Sequence, residues 1–209
     1  GRIKANGDMR KAYSTPVFFK KNGHTVMIAT GAKASYAYNP ENGKELWQVR
    51  FKGFSAASRP AVSKTVAVIN SGYPRPEVLA VSLDAEGLIA DDAVKWRRSA
   101  SCPKRCSPLL IDGRLYLLDD KGIIACLDAE TGAQIWRDRV RGQFSASPLY
   151  AHGRIYCFDE RGTTTVLEPG EVYKVLATNK LDDGFMASPA VAGNDFILRT
   201  KGALYRISK

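Results

Sequence analysis

A self-repetition constrains this chain more than any other feature. The segments YAYNPENGKELW (36–47) and ACLDAETGAQIW (125–136) share a polar turn ending in glycine and, four residues on, a tryptophan. Gly43 aligns with Gly132 and Trp47 with Trp136, an offset of 89 residues. That is about twice 44, a length suited to one supersecondary unit stacked in series. A copy lies between them: LDAEG (83–87) followed by Trp96, with a longer connection from Gly87 to the tryptophan. A fourth copy, TTVLEPGEVYKV (164–175), puts Tyr173 or Val175 where the tryptophan is expected, and GALYRISK (202–209) stops short of one.

A second marker recurs out of phase with the first. It reads Ser14-Thr15-Pro16, Ser58-Arg59-Pro60, Ser107-Pro108, Ser147-Pro148 and Ser188-Pro189, with the prolines 44, 48, 40 and 41 residues apart. Short apolar runs such as RLYLLD, RIYCFD and TVMIAT follow, rich in β-branched and aromatic residues and bounded by Gly, Asp or Asn. These are strand signals, and no dozen residues carry clean helical periodicity. Each repeat therefore holds about four strands, the content of a β-propeller blade. The expected fold class is all-β: a β-propeller of four-stranded antiparallel blades, four complete (14–57, 58–105, 106–145, 146–186) and a partial fifth (187–209). The whole of 1–209 forms one such region. A blade cannot cover both its faces alone, so each must stack on its neighbours.

Within a blade, the residues from Asp128 to Gly132 fit a tight connection between the third and fourth strands. Gly43, Gly87 and Gly132 supply a backbone conformation that a Cβ penalises. Trp47, Trp96 and Trp136 then fall on outer strands, as flat wedges between blades. The Ser-Pro marker suits the start of an inner strand, where proline costs no ladder hydrogen bond.

Composition adds limits. The hydrophobic share is 44% and the charged share 25%, ordinary for a packed domain. No apolar run approaches the ~18 residues of a membrane-spanning helix. The net charge of +10 comes from basic residues scattered along the chain, densest at Arg97-Arg98, Lys104-Arg105 and 137–141. No groove-binding motif accompanies them, so a solvated basic surface is expected and no nucleic-acid partner. None of the four cysteines forms a CxxC pair, which argues against a structural zinc site. Cys126 and Cys157 read as buried thiols; Cys102 and Cys106 are close enough to close a small disulfide loop in an oxidising compartment.

LDAETGAQIW and NPENGKELW resemble the tryptophan-docking repeat of the PQQ-like β-propellers, over about 14–208. That superfamily takes in quinoprotein alcohol dehydrogenases, outer-membrane assembly factors of the BamB type and sensor propellers of bacterial kinases. More narrowly, MRKAYSTP, FSASPLYAHGRIY and ASPAVAGNDFILRTKGALYRIS look like the C-terminal half of BamB-like propellers. The resemblance implies a non-catalytic scaffold of the periplasm or cell envelope with a protein or peptide partner and no cofactor. The alternatives are part of a PQQ-dependent dehydrogenase and a ligand-sensing propeller of a receptor. The family commonly closes with eight blades, the last completed by an N-terminal strand. Residues 1–12 are placed to complete a five-bladed ring, or Gly1 to Lys11 are the remnant of a preceding blade in a larger propeller. The second is the expectation, with self-association if blade edges stay open.

Little else points to chemistry. Quinoproteins of this family typically carry adjacent cysteines beneath the quinone, and this chain has none. The pairs Asp91-Asp92, Asp119-Asp120 and Asp182-Asp183 fall in or beside turns, as do His24 and His152. No GxGxxG or P-loop occurs. The stretches least explained by the repeat are NSGYPRPEV (70–78) and SASCPKRCS (99–107), both in the longest repeat. Tyr73 and Arg75 in the first are the candidate partner-contact residues, by residue type and loop length.

Overall fold

β-Branched and aromatic runs closed by Gly, Asn and Asp turns favour a pleated, half-buried backbone. In the computed structural model, which describes residues 11–208, they form five sheets in chain order, antiparallel but for one added strand. The first holds β1 (Val17–Lys21), β2 (His24–Thr30), β3 (Ala34–Tyr38) and β4 (Glu45–Arg50). The second holds β5 (Ala61–Val62), β6 (Val66–Asn70) and β7 (Val78–Ser82); the chain then leaves it for β8 (Gly87–Ile89) and returns as β9 (Trp96–Arg98).

The third sheet is β10 (Leu109–Ile111), β11 (Arg114–Leu118), β12 (Ile123–Asp128) and β13 (Gln134–Arg139). The fourth is β14 (Leu149–Ala151), β15 (Arg154–Phe158), β16 (Thr163–Leu167) and β17 (Val175–Lys180). The fifth has three strands among the described residues: β18 (Ala190–Ala192), β19 (Asp195–Arg199) and β20 (Leu204–Ile207). This is an all-β array of propeller blades, four full and one partial.

Side-chain alternation along the middle strands explains the stacking, since residues two apart share a face. Ala67, Ile69, Leu79 and Val81 of the second sheet pack on Ile28, Ala37, Trp47 and Val49 of the first. The alternate residues Val66, Val68, Val78 and Ala80 pack forward on Leu115, Leu117, Ala125 and Leu127. The third and fourth sheets meet through Tyr116, Leu118, Ile124 and Cys126 against Ile155, Cys157 and Leu167. Phe158, Phe185 and Leu198 close the last seam. The core is thus four slabs between blades, and each fully buried aliphatic side chain in it stabilises by about 2 kcal/mol.

Two findings differ from the sequence reading. The long connection from Gly87 to Trp96 is more than a turn: β8 pairs in parallel with β4 and adds a fifth strand to the neighbouring sheet. Ile89, buried with that first cluster, holds it there. Of the segment 1–12, residues 1–10 lie outside the described residues. Lys11 accepts a backbone hydrogen bond from Ser55, and the amide of Tyr13 donates to Ala56. That part of the chain lies along the connector between the first two sheets rather than on β20.

Candidate functional site

Each tryptophan sits on an outer strand and reaches the next blade's turn. Trp47 is 1% exposed and stands opposite Gly87 in the β4–β8 ladder. The Trp96 indole Nε1 donates to the carbonyl of Ala129 at 3.0 Å, and its ring lies so close to Gly132 that a Cβ there would stand 2.6 Å away. Trp136 donates to the carbonyl of Gly170 at 2.9 Å and packs against the rings of Tyr116 and Tyr173, 5.9 and 5.5 Å away. Gly43, Gly87 and Gly132 have φ of +73°, +63° and +72°. Their turns close by the same logic: Asp128 Oδ1 accepts the amides of Glu130 and Thr131 and the Thr131 hydroxyl. These bonds, the Thr131 hydroxyl first, hold the Asp128 carboxyl below its usual range.

The degraded copy needs correcting. Trp47 pairs with Ala37 and Trp136 with Cys126, each just past a bulge in the ladder. In the fourth sheet the same place, opposite Val166 and past the same bulge, belongs to Ala177. Neither Tyr173 nor Val175 occupies it, because the turn before β17 is one residue longer: Glu168 bonds Lys174, whereas Asp128 bonds Ala133. Tyr173 instead meets the preceding blade's Trp136.

The serine markers form a second line of joints. The Ser14 hydroxyl donates to the Ser58 carbonyl and the Ser58 hydroxyl to the Cys106 carbonyl, both at 2.7 Å. From there the sense changes: the amides of Arg59, Ser107 and Ser147 donate to the hydroxyls of Ser107, Ser147 and Ser188. These residues open the inner strands, which line a 970 Å³ cleft walled by Pro16, Pro60, Pro108 and Pro148. Repeat spacing alone could not reveal this, since each bond joins residues about one repeat apart.

The two candidate loops meet at one end of the sheets. Asn70 Nδ2 donates to the Pro103 carbonyl at 2.7 Å. Tyr73, 49% exposed, lies edge-on to Phe54 at 5.3 Å, with the Lys104 ammonium 5.7 Å from its ring centre. Arg75 lines an open cleft of 700 Å³ with Lys52, Pro74, Pro76, Glu77 and Ser99. Three cations that no sequence signal groups, Arg141, Arg161 and Lys180, line another cleft between the third and fourth blades.

The remaining candidates lie in or beside turns, His24 as the first residue of β2. His24 and His152 are exposed, the latter edge-on to Phe196 at 5.8 Å. Asp91 and Asp92 occupy a short 3-10 turn, and Asp119 Oδ1 accepts the amides of Lys121 and Ile123. All four cysteines are free and buried; Cys102 and Cys106 do not form the small disulfide loop, because they lie in different clusters between different sheets. Among the described residues no three His, Cys, Asp or Glu side chains gather as a metal site. No described helix is long and apolar enough to cross a membrane.

Comparison with known proteins agrees with this architecture. The family described as outer membrane protein assembly factor BamB matches residues 77–172. The assembly factor BamB of Yersinia pestis is 26% identical over 140 residues, 58% of this chain and 33% of that protein. The chain spans about a third of the length of the curated relatives it matches. In fold, the crystal structure of BamB from Moraxella catarrhalis overlays 92% of this chain and 57% of its own, with a TM-score of 0.69 and 18% identity. A quinohemoprotein alcohol dehydrogenase from Pseudomonas putida HK5 overlays 95% of this chain and 40% of its own, at a TM-score of 0.69 and 14% identity. Repeat, blade architecture and relatives converge: the chain has the fold of the PQQ-like β-propellers, and its repeats are similar to those of BamB.

Proposed function

We propose that the chain is a non-catalytic propeller scaffold of the bacterial cell envelope, which holds a protein partner during outer-membrane protein assembly. One observation carries this: the family match and the curated relatives all name the assembly factor BamB. The site chemistry supports it. The repeated serines, turn aspartates and tryptophans that could suggest an active site are engaged in joining blades and closing turns. The connecting loops, with Tyr73 and Arg75, remain as contact surface on a rigid frame.

Disrupting the gene tests the reading. The expected outcome is a lower content of β-barrel proteins in the outer membrane, with quinone-dependent alcohol oxidation unchanged. A dehydrogenase part predicts the reverse, together with saturable uptake of PQQ and Ca²⁺ by the purified protein; that pair of results would overturn the scaffold.

A further inference from the structure

Strand direction separates the turns into two ends. Turns between first and second strands and between third and fourth strands lie at one end of the sheets. Turns between second and third strands, with the connectors between sheets, lie at the other. At the first end, acidic residues meet cations: Glu171 with Arg114 at 2.7 Å, Glu168 with Lys174 at 2.6 Å, Asp84 with Lys21 at 3.0 Å. At the second end the backbone takes up much of the carboxylate. Asp159 Oδ1 accepts the amides of Arg161 and Thr163, and Asp183 those of Gly184 and Gly202. Asp120 is held by the Lys104 amide and the Arg105 guanidinium.

Cations at this end are consequently left over. Arg141 and Arg161 make no side-chain hydrogen bond or ion pair with any described residue, and the Lys180 ammonium donates to the carbonyl of Arg161. Together with Gln143 and Thr163 they line an open cleft of 420 Å³. Among the described residues its only carboxylate is Asp159, 4% exposed and already bonded to the turn amides. Three cations facing one carboxylate that is already hydrogen-bonded to the turn create a positive, solvent-reachable recess, and guanidinium groups pair with carboxylates in fork geometry.

We propose that this recess seats an acidic segment of a protein partner, with a carboxylate side chain among Arg141, Arg161 and Lys180. The partner's being a protein rests on the scaffold reading above; the site and its charge preference do not. Asp120 and Glu160, both beside Arg105, interrupt the positive surface. A continuous phosphate surface laid over this end meets those carboxylates, whereas a peptide with spaced acidic residues avoids them. Tyr73 and Arg75 at the same end add the aromatic and guanidinium contacts typical of protein interfaces.

The test is anisotropy of a fluorescein-labelled oligoglutamate peptide titrated with the full chain at about 0.05 M salt, where exposed charges are weakly screened. The double variant Arg141→Glu/Arg161→Glu is compared with Lys64→Glu/Arg154→Glu, which changes net charge equally at the opposite end. The first weakens binding at least about tenfold and the second less than about twofold. Equal loss in both reduces the effect to net charge and overturns the site. Tighter, Arg141/Arg161-dependent binding of phosphatidylglycerol vesicles or of an oligonucleotide overturns the protein partner. Arg141→Gln/Arg161→Gln repeats the comparison without charge reversal, with circular dichroism as the check on folding. PQQ uptake overturns the scaffold alone, so the two failures are separable.

Discussion

Gly132 and Gly43 have nearly the same backbone angle but different surroundings. A Cβ at Gly43 meets open space, while one at Gly132 runs into the Trp96 ring. Replacing Gly43 with alanine costs the left-handed backbone term alone, about 1 kcal/mol. Gly132→Ala adds displacement of an indole that is hydrogen-bonded to Ala129, for about 3 kcal/mol in all. Urea denaturation of the two variants measures the difference, and equal midpoints would show that the tryptophan does not rest on the glycine. The glycines and tryptophans were readable from the sequence because their spacing is regular. Ala177 was not, because a single extra residue in the turn shifts the alignment while the sheet register absorbs it. Arg141, Arg161 and Lys180 looked scattered for a different reason: Arg161, in the turn before β16, and Lys180, at the end of β17, share the fourth sheet, and only stacking brings Arg141 of the preceding connector to them.

The seams between blades are tied at two radii, by serines near the inner strands and by tryptophans at the outer ones. An amide that loses its acceptor in such a seam costs about 1 to 2 kcal/mol. Ser147→Ala removes the acceptor of the Ser107 amide while leaving that of Arg59 in place. Hydrogen exchange should accelerate at Ser107 and stay slow at Arg59; uniform acceleration would mean that the seam opens as a whole. The sequence located these serines through their prolines, yet a strand-start role was all that local chemistry could give them. Blade-to-blade bonding is a non-local property. β8 escaped for a similar reason, as three residues in an insertion carry too little periodicity to be read as a strand.

The slab-like core buries thiols in the two middle seams, Cys102 in one and Cys106, Cys126 and Cys157 in the other. Burial pushes the Cys102 and Cys126 thiols up from 9.0 to about 11 and Cys157 to about 12, and raises Cys106 as well. A raised folded pKa means that the unfolded chain gives up its proton first. The stability linked to these thiols is therefore complete below pH 9 and is lost as pH rises toward 11 and beyond. Urea midpoints should hold up to about pH 8.5 and fall above it, and iodoacetamide should label the thiols only in the unfolded chain. Rapid labelling of native protein near neutral pH would contradict this packing.

The joints also have a direction. Along the third to fifth blades each offers an amide forward and a hydroxyl backward, and each tryptophan points to the turn of its successor. The two sides of a blade are thus unlike surfaces, each complementary to the opposite side of its neighbour and not to itself. Blades joined in this way cannot mate about a two-fold axis; they can only follow one another, so every blade added must turn in the same rotational sense as the one before.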